Sequence, residues 1–507
     1  MRKVASGYRL IFGYLGVFMV VVGLICLIPL FILIGYPSEA NFAMNFIIPG
    51  VSSIGIGVAL MFLIIGREKE QLAKHQDSVL LVLIWVTAIL ICAVPFAMSK
   101  AQLGDAGMNI TESIFESTSG YATVGLTRLP EGMFDYKIYL FFRILLQFFG
   151  GIGLVLVVTS AISDRYGLKL YTAEGHNDKL MPNLAKSARL ILGIYALYIF
   201  LGTIAYIIAG MDWFDAINHS VCAVSTGGFS SRYGGFAEVI STLPDGRALA
   251  AEIITCTLMA LGAINFLLHL FLITGKFRKV VKDCEIRLFA SFVIIFIPLF
   301  FACVWLSGVT DNPAMALRYG AFTFFSNITT TGFSNISNLN LLGQGVLFMV
   351  VVLNIVGGGM GSTSGGIKQY RLAIACKSFY WNFRDRLGNK HYIYPYYIWR
   401  TGEKREVSRI ESIDAFGYIL LYIIVLFVGA FLVTILGVNS GVTYGEGLFE
   451  FSNALSGTGL TNGLTAVANR AQLWMLISGM FAGRLEIVAI HFAFYRMMRD
   501  LLRKETI

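Results

Sequence analysis

Ten apolar stretches leave this chain few folds to choose from. They cover residues 10–34, 46–65, 79–98, 138–162, 190–208, 249–274, 288–306, 341–356, 416–436 and 473–494. Most reach the roughly 20 residues needed to cross a hydrocarbon core of about 30 Å. With 56% hydrophobic and only 14% charged residues, the chain lies outside the make-up of a soluble domain. The first stretch is too long for a signal-peptide core and lacks a clear small-residue cleavage site, so it reads as a retained helix. The expected fold class is an all-α polytopic membrane protein, surrounded by membrane lipid.

The net charge of +9 is distributed as a membrane protein distributes it. With the N-terminus placed inside, basic residues gather on the inner side. They fall in the N-terminal arm (Arg2, Lys3, Arg9), in segments 67–74, 165–189, 276–287 and 368–409, and in the tail with Arg496, Arg499, Arg503 and Lys504. That is about 30 of the 39 Lys and Arg, as the positive-inside rule expects. Both termini are expected to be cytoplasmic, in a cell inner or plasma membrane, and the basic surface needs no nucleic acid to explain it. The seven cysteines and six histidines are scattered without a metal-ligand spacing, so no transition-metal site is expected.

Inside this apolar frame a polar segment recurs. It reads Ala122-Thr123-Val124-Gly125, Val224-Ser225-Thr226-Gly227, Thr329-Thr330-Thr331-Gly332 and Ser456-Gly457-Thr458-Gly459, with the glycines 102, 105 and 127 residues apart. The residue ten before each glycine is apolar: Phe115, Ile217, Phe322 and Phe449. One such triplet is an ordinary turn; four at matched offsets form an internal repeat. Each unit is expected to hold a spanning helix, a short re-entrant helix with its polar loop, and a second spanning helix, the four units surrounding one central pore. The expected divisions are an N-terminal two-helix hairpin (1–76) and pore repeats at 77–166, 185–280, 285–385 and 410–507. A loop can dip into the membrane only where protein encloses it or where it lines water. Four carbonyl-rich loops around one axis are the means of replacing the water shell of a monovalent cation, and four short helices aiming their C-terminal ends inward favour that charge.

At these residues the chain resembles the TrkH/KtrB superfamily of potassium transporters. The resemblance spans the whole chain. It rests on Phe115-Glu116…Gly120…Thr123-Val124-Gly125, on Phe449-Glu450…Gly457-Thr458-Gly459-Leu460, and on Arg143…Gln147…Gly150-Gly151…Gly153. Two further stretches, 357–368 and Gly483-Arg484-Leu485-Glu486, together with the N-terminal hairpin, are similar to the TrkH branch. Ala122 and Gly457 depart from the commoner threonine. The resemblance implies a K+-selective subunit of a Trk-type uptake system, with K+ bound at the filter residues Ala122, Thr123, Val124, Gly125, Val224, Ser225, Thr226, Gly227, Thr330, Thr331, Gly332, Gly457, Thr458 and Gly459. It also implies a homodimer with one pore per protomer, and a soluble TrkA-like regulatory subunit. That partner, and not this chain, binds NADH, ATP or ADP; no cofactor is expected here.

Residues 357–366 interrupt the third returning helix near mid-membrane. The stretch lacks the G-K-[ST] ending of a phosphate loop, since Ile367 separates Gly366 from Lys368, and Gly357 with Gly361 forms a helix-packing pair. By resemblance it is an intramembrane gate built from Gly357, Gly358, Gly359, Gly361, Ser362, Gly365, Gly366 and Lys368. Arg484 falls near the centre of the last long stretch, where an arginine costs at least ~2.5–3.5 kcal/mol on insertion scales and needs a use or a partner. It reads either as a structural ion pair, with Glu486 for instance, or as a positive barrier in the pore; the resemblance favours the barrier. Segment 379–409, rich in Tyr and Trp, suits both a membrane-interface anchor and a docking surface for a soluble partner. A membrane enzyme would need convergent acid/base, nucleophilic or metal groups, which the sequence does not offer. Within transport, a gated channel and a Na+- or H+-coupled symporter share this helix pattern.

Overall fold

The computed structural model describes residues 6–64, 76–153, 184–388 and 395–502. The expected inner segments 67–74 and most of 165–189, along with Tyr392 and Tyr394, lie outside those residues. Among the described residues six helices are long and apolar enough to span a bilayer, and two bent helix pairs pass the same test together.

The N-terminal hairpin pairs Ser6–Leu27, which continues as a 3-10 turn through Ile34, with Ala43–Met61. It is fastened to the first repeat by polar groups as well as by apolar packing. Glu39 accepts the backbone N–H groups of Lys137 and Ile138, each at 2.9 Å, so its carboxylate sits on the N-terminus of the helix that begins at Lys137. Those amides have no partner within their own helix, and the helix dipole favours an anion there. Asn45 donates to the Tyr139 hydroxyl at 2.7 Å on the same side.

Each repeat then enters through a spanning helix: Gln76–Leu103, Leu184–Ile208, Cys284–Leu306 and Arg409–Leu436. A short pore helix follows: Ile110–Tyr121, Trp213–Val224, Pro313–Ile328 and Tyr444–Ser456. All four start on a side-chain cap. Asn109 with Glu112 and Thr443 with Glu446 form capping boxes, Asp212 accepts from Phe214 N, and Asn312 accepts from Ala314 N ahead of Pro313.

The returning helices differ from the expectation of continuous spans at 249–274 and 473–499. Asp245–Gly262 and Phe266–Ile273 meet at 113°, and Arg470–Arg484 and Ile487–Asp500 at 99°. Gln344–Val356 stops at Gly357 and resumes only at Gln369–Leu387, while Lys137–Ile152 stops at Gly153. The breaks have chemical causes. Asn265 starts a new helix by accepting from Leu267 N, and Glu486 adopts a left-handed φ of 59°. At each break the backbone groups that a continuous helix would have paired must find other partners. In the second repeat segment 357–366 supplies them: Gly359 N donates to Ala263 O at 2.9 Å, and Phe266 N to Gly361 O at 3.0 Å.

Segment 379–409 contains a small antiparallel hairpin, Tyr397–Arg400 with Glu403–Glu406, turning at Thr401-Gly402. Its tip is tied to the elbow between repeats two and three, where Thr401 N donates to Asp283 at 2.8 Å. The Arg400 guanidinium lies 3.5 Å from the centre of the Tyr370 ring, and Tyr370 in turn donates to Glu411 at 2.7 Å. The hairpin thus clips together the elbow, the helix Gln369–Leu387 and the fourth entering helix. Asp283 also caps the helix that begins at Cys284. Replacing it, Asp283→Ala, is expected to cost about 1–2 kcal/mol through the lost cap and hairpin tie. A lowered melting temperature of the detergent-solubilised protein, with earlier proteolytic cleavage near Thr401, is the expected readout.

Candidate ion pathway

The four pore helices end within one residue of equivalent positions, and the chain makes the same turn after each. The residue that opens the turn is left-handed in every unit: Thr123 (φ 52°), Thr226 (φ 50°), Thr330 (φ 53°) and Gly457 (φ 77°). Two residues later stands a glycine, again with positive φ: Gly125, Gly228, Gly332 and Gly459. The second unit is therefore displaced by one residue from the sequence alignment. Its counterpart of Gly125 is Gly228, and Gly227 corresponds to Val124, Thr331 and Thr458. Ser225-Thr226-Gly227 looks like the other triplets, but the turn begins at Thr226 and not at Ser225.

With that register the four segments close a ring. A Cβ added to Gly125 would meet the Gly227 carbonyl oxygen, one on Gly228 would meet Thr331 O, one on Gly332 would meet Thr458 O, and one on Gly459 would meet Val124 O, all at 2.5 Å or closer. Each glycine is thus in contact with a carbonyl of the next unit, and the fourth returns to the first. Only glycine allows this approach together with positive φ. The glycines open onto a vestibule of about 600 Å³, lined by Gly125, Gly228, Gly332, Gly459 and the residues that follow them.

Two sets of side chains hold the ring. The residue six before each ring glycine braces its own segment in three units. Ser119 Oγ accepts from Gly125 N at 3.1 Å, Ser326 donates to Phe333 O at 2.6 Å, and Asn453 Oδ1 accepts from Leu460 N at 3.2 Å. The residue nine before clasps a hydroxyl on the far side of the turn. Glu116 accepts from Thr127 at 3.0 Å, Glu450 accepts from Thr461 at 2.7 Å, and His219 Nε2 lies 3.0 Å from Ser230 Oγ. Arg143 connects two of these clasps: its Nε lies 2.7 Å from Glu116 Oε1, with both side chains buried, and its Nη1 donates to Ser230 O at 3.2 Å. Phe229 stacks over the guanidinium at 4.0 Å.

On the other side of the ring the path is closed. Segment 357–366 lies directly against the turn: Gly365 N donates to Thr330 Oγ1 at 2.8 Å, and Thr226 Oγ1 donates to Thr363 Oγ1 at 3.0 Å. Arg484 donates to Thr123 Oγ1 at 3.2 Å, to Thr363 O at 3.0 Å, to Gly151 O at 3.3 Å and to Gly150 O. The three threonine hydroxyls below the ring are therefore all engaged, and the fourth position, Gly457, has no side chain. A cavity of about 40 Å³, bounded by Thr123, Ser362, Gly365, Lys368, Gly457 and Arg484, is what remains, room for only a few waters. Lys368 donates to Ser364 O, and Glu486 is held by Arg371 at 2.7 Å.

These observations have the form of a cation path, and comparison with known proteins agrees. The TrkH family of cation transport proteins matches residues 42–500. The chain belongs to this family. It is 26% identical over 502 residues to an uncharacterized cation transporter of Methanocaldococcus jannaschii, covering 96% of each chain. It is 28% identical over 445 residues to the Trk system potassium uptake protein TrkH of Salmonella typhimurium, covering 84% of this chain and 86% of that one. Its fold matches the crystal structure of the potassium transporter TrkH from Vibrio parahaemolyticus with a TM-score of 0.81 at 22% identity, over 96% of this chain and 98% of that chain. A multi-pass helical membrane protein of the TrkH family is a transporter and not an enzyme.

Sequence reasoning missed the braces, although Ser119, Ser326 and Asn453 recur at one offset from the ring glycines. It named Glu116 and Arg143 in two separate motifs without pairing them. That pair is a sensitive point of the site. Glu116→Ala would leave a buried guanidinium without its carboxylate, at a cost of about 3–5 kcal/mol. The expected result is a large fall in folded yield and melting temperature, partly recovered when Arg143 is also replaced by Met.

Proposed function

We propose that this chain is the K+-conducting membrane subunit of a Trk-type uptake system, moving K+ into the cytoplasm. The observation that carries the reading is the four-membered ring in which each glycine meets the next unit's carbonyl. Such a ring offers a dehydrated monovalent cation the oxygens that replace its hydration shell. The filter is then Ala122–Gly125, 225–228, 329–332 and 456–459, and segment 357–366 with Lys368 and Arg484 is the gate beneath it. Positive charge at Arg484, which reaches Thr123 and Thr363 beneath the ring, supports the barrier reading. Basic residues on the face of segments 276–287 and 368–409 support an orientation with both termini cytoplasmic. One ring per chain supports one pore per protomer; the homodimer and a TrkA-like soluble regulatory subunit follow from the family resemblance, and the relatives' Trk-system names fit a membrane subunit of a larger system. Its NADH, ATP or ADP would act through contacts that differ between open and closed states.

Reconstituted protein is expected to pass K+ and Rb+ in preference to Na+ and Li+. Reversal potentials under a K+/Na+ gradient measure this directly, and equal permeability would overturn the reading. Gly125→Ser is expected to lower the preference, and bulky residues at Gly125, Gly228, Gly332 or Gly459 to abolish flux. Arg484→Ala is expected to raise flux several-fold; unchanged flux with less folded protein would assign Arg484 to structure alone. Currents that persist without a pH or Na+ gradient distinguish conduction from coupled symport.

A further inference from the structure

The ring is braced alike in three units and differently in the second. Where the others have Ser119, Ser326 and Asn453, the second unit has Cys222, whose thiol is a weak hydrogen-bonding group. Its brace comes from a neighbouring helix. Gln147, buried on the first returning helix, donates through Nε2 to Gly227 O at 2.5 Å and accepts from Phe229 N at 3.3 Å. One planar amide thus spans both sides of Gly228. Arg143, one turn earlier on the same helix face, holds the continuation of that segment at Ser230.

Gly227 is the complement of this amide. Its φ lies outside the left-handed region, so the backbone does not require glycine there. A Cβ at 227 would instead collide with the Gln147 carboxamide. The equivalent residues of the other units, Val124, Thr331 and Thr458, carry side chains. Their carbonyls accept from no donor among the described residues, whereas the Gly227 carbonyl does.

We propose that Gln147 is a specificity-determining positioning residue: its amide, admitted by Gly227, anchors one carbonyl of the ring and sets the preference for the larger cation. The inference rests on the K+-conducting reading above. A carbonyl that shares a lone pair with an N–H presents a weaker field to an ion and a fixed direction. It cannot follow a smaller cation inward, so a site anchored on one wall resists collapse around Na+ and loses less on K+. Discrimination by size and by field strength both act in the same direction here.

The test uses the full-length protein in liposomes, reading the K+/Na+ permeability ratio from reversal potentials and the flux from current per folded protein. Gln147→Met keeps the volume and removes the amide. It is expected to lower the ratio by about fivefold, the factor set by one hydrogen bond, while flux persists. Gly227→Ala alone is expected to abolish flux, and Gly227→Ala with Gln147→Ala to restore flux at a low ratio. A wild-type ratio in Gln147→Met, or full flux in Gly227→Ala alone, overturns the inference. Should Gln147→Met not accumulate as folded protein, the ratio of the double variant decides in the same way. Wild-type protein without K+ preference would instead remove the K+ reading on which the proposal stands.

Discussion

Carbonyl oxygens left bare inside a membrane set the terms for the rest of this structure. An unpaired peptide group in hydrocarbon costs several kcal/mol, so the chain can expose such groups only where an ion or water meets them. Three threonines are also held in the left-handed region, an unusual place for a β-branched residue. Neither condition is self-sustaining. The turn survives because its other polar atoms are tied: amides and carbonyls to Ser119, Ser326, Asn453 and Gln147, hydroxyls to Glu116, His219 and Glu450. Those ties are short because the pore helices run straight into the turn, and the pore helices stand at the correct depth because each begins on a cap.

The fourfold likeness is one of geometry, not of residues. A clasp is a carboxylate in the first and fourth units and an imidazole in the second. The ring glycine and its carbonyl neighbour recur in all four units, because no other backbone closes the ring. Everything behind them is free to vary so long as the same atoms are satisfied. A point mutation therefore acts on one wall of four, and its consequence depends on which chemistry that wall uses.

Much of this arrangement could be read from the sequence. The spans and the four polar segments follow from hydropathy and internal repetition. The register of the second unit did not, because Ser225-Thr226-Gly227 and Thr226-Gly227-Gly228 are both plausible turns in one dimension. Only the left-handed Thr226 and the collision of a Gly228 Cβ with Thr331 separate them. The bends were hidden for a different reason. Stretches 249–274 and 473–494 are apolar in the main, and Asn265 or Glu486 within such a run carries no periodic signal. Their role appears only when segment 357–366, about a hundred residues away from Asn265 in the chain, comes to bond the opened backbone. The hairpin at 397–406 is short, charged on one strand and built on long-range contacts to Asp283 and Tyr370, which local propensity does not register.

The bonding of segment 357–366 to the second helix break has a consequence for how the lower passage can change. Besides the two backbone bonds at Ala263 and Phe266, Asn265 donates to Met360 O at 2.6 Å and Thr363 donates to Gly262 O at 2.9 Å. Lifting the segment bares both partners of every one of these bonds at mid-membrane, with a desolvation penalty of about 1–3 kcal/mol for each group left unsatisfied. Protein atoms cannot take over all of them at once. Water can, and it must arrive in the same step. On the proposed reading of this segment as a gate, its opening would be a wetting transition: closed and open forms would differ in hydration number as much as in shape, and the energetic divide between them would be the cost of hydrating the bared groups.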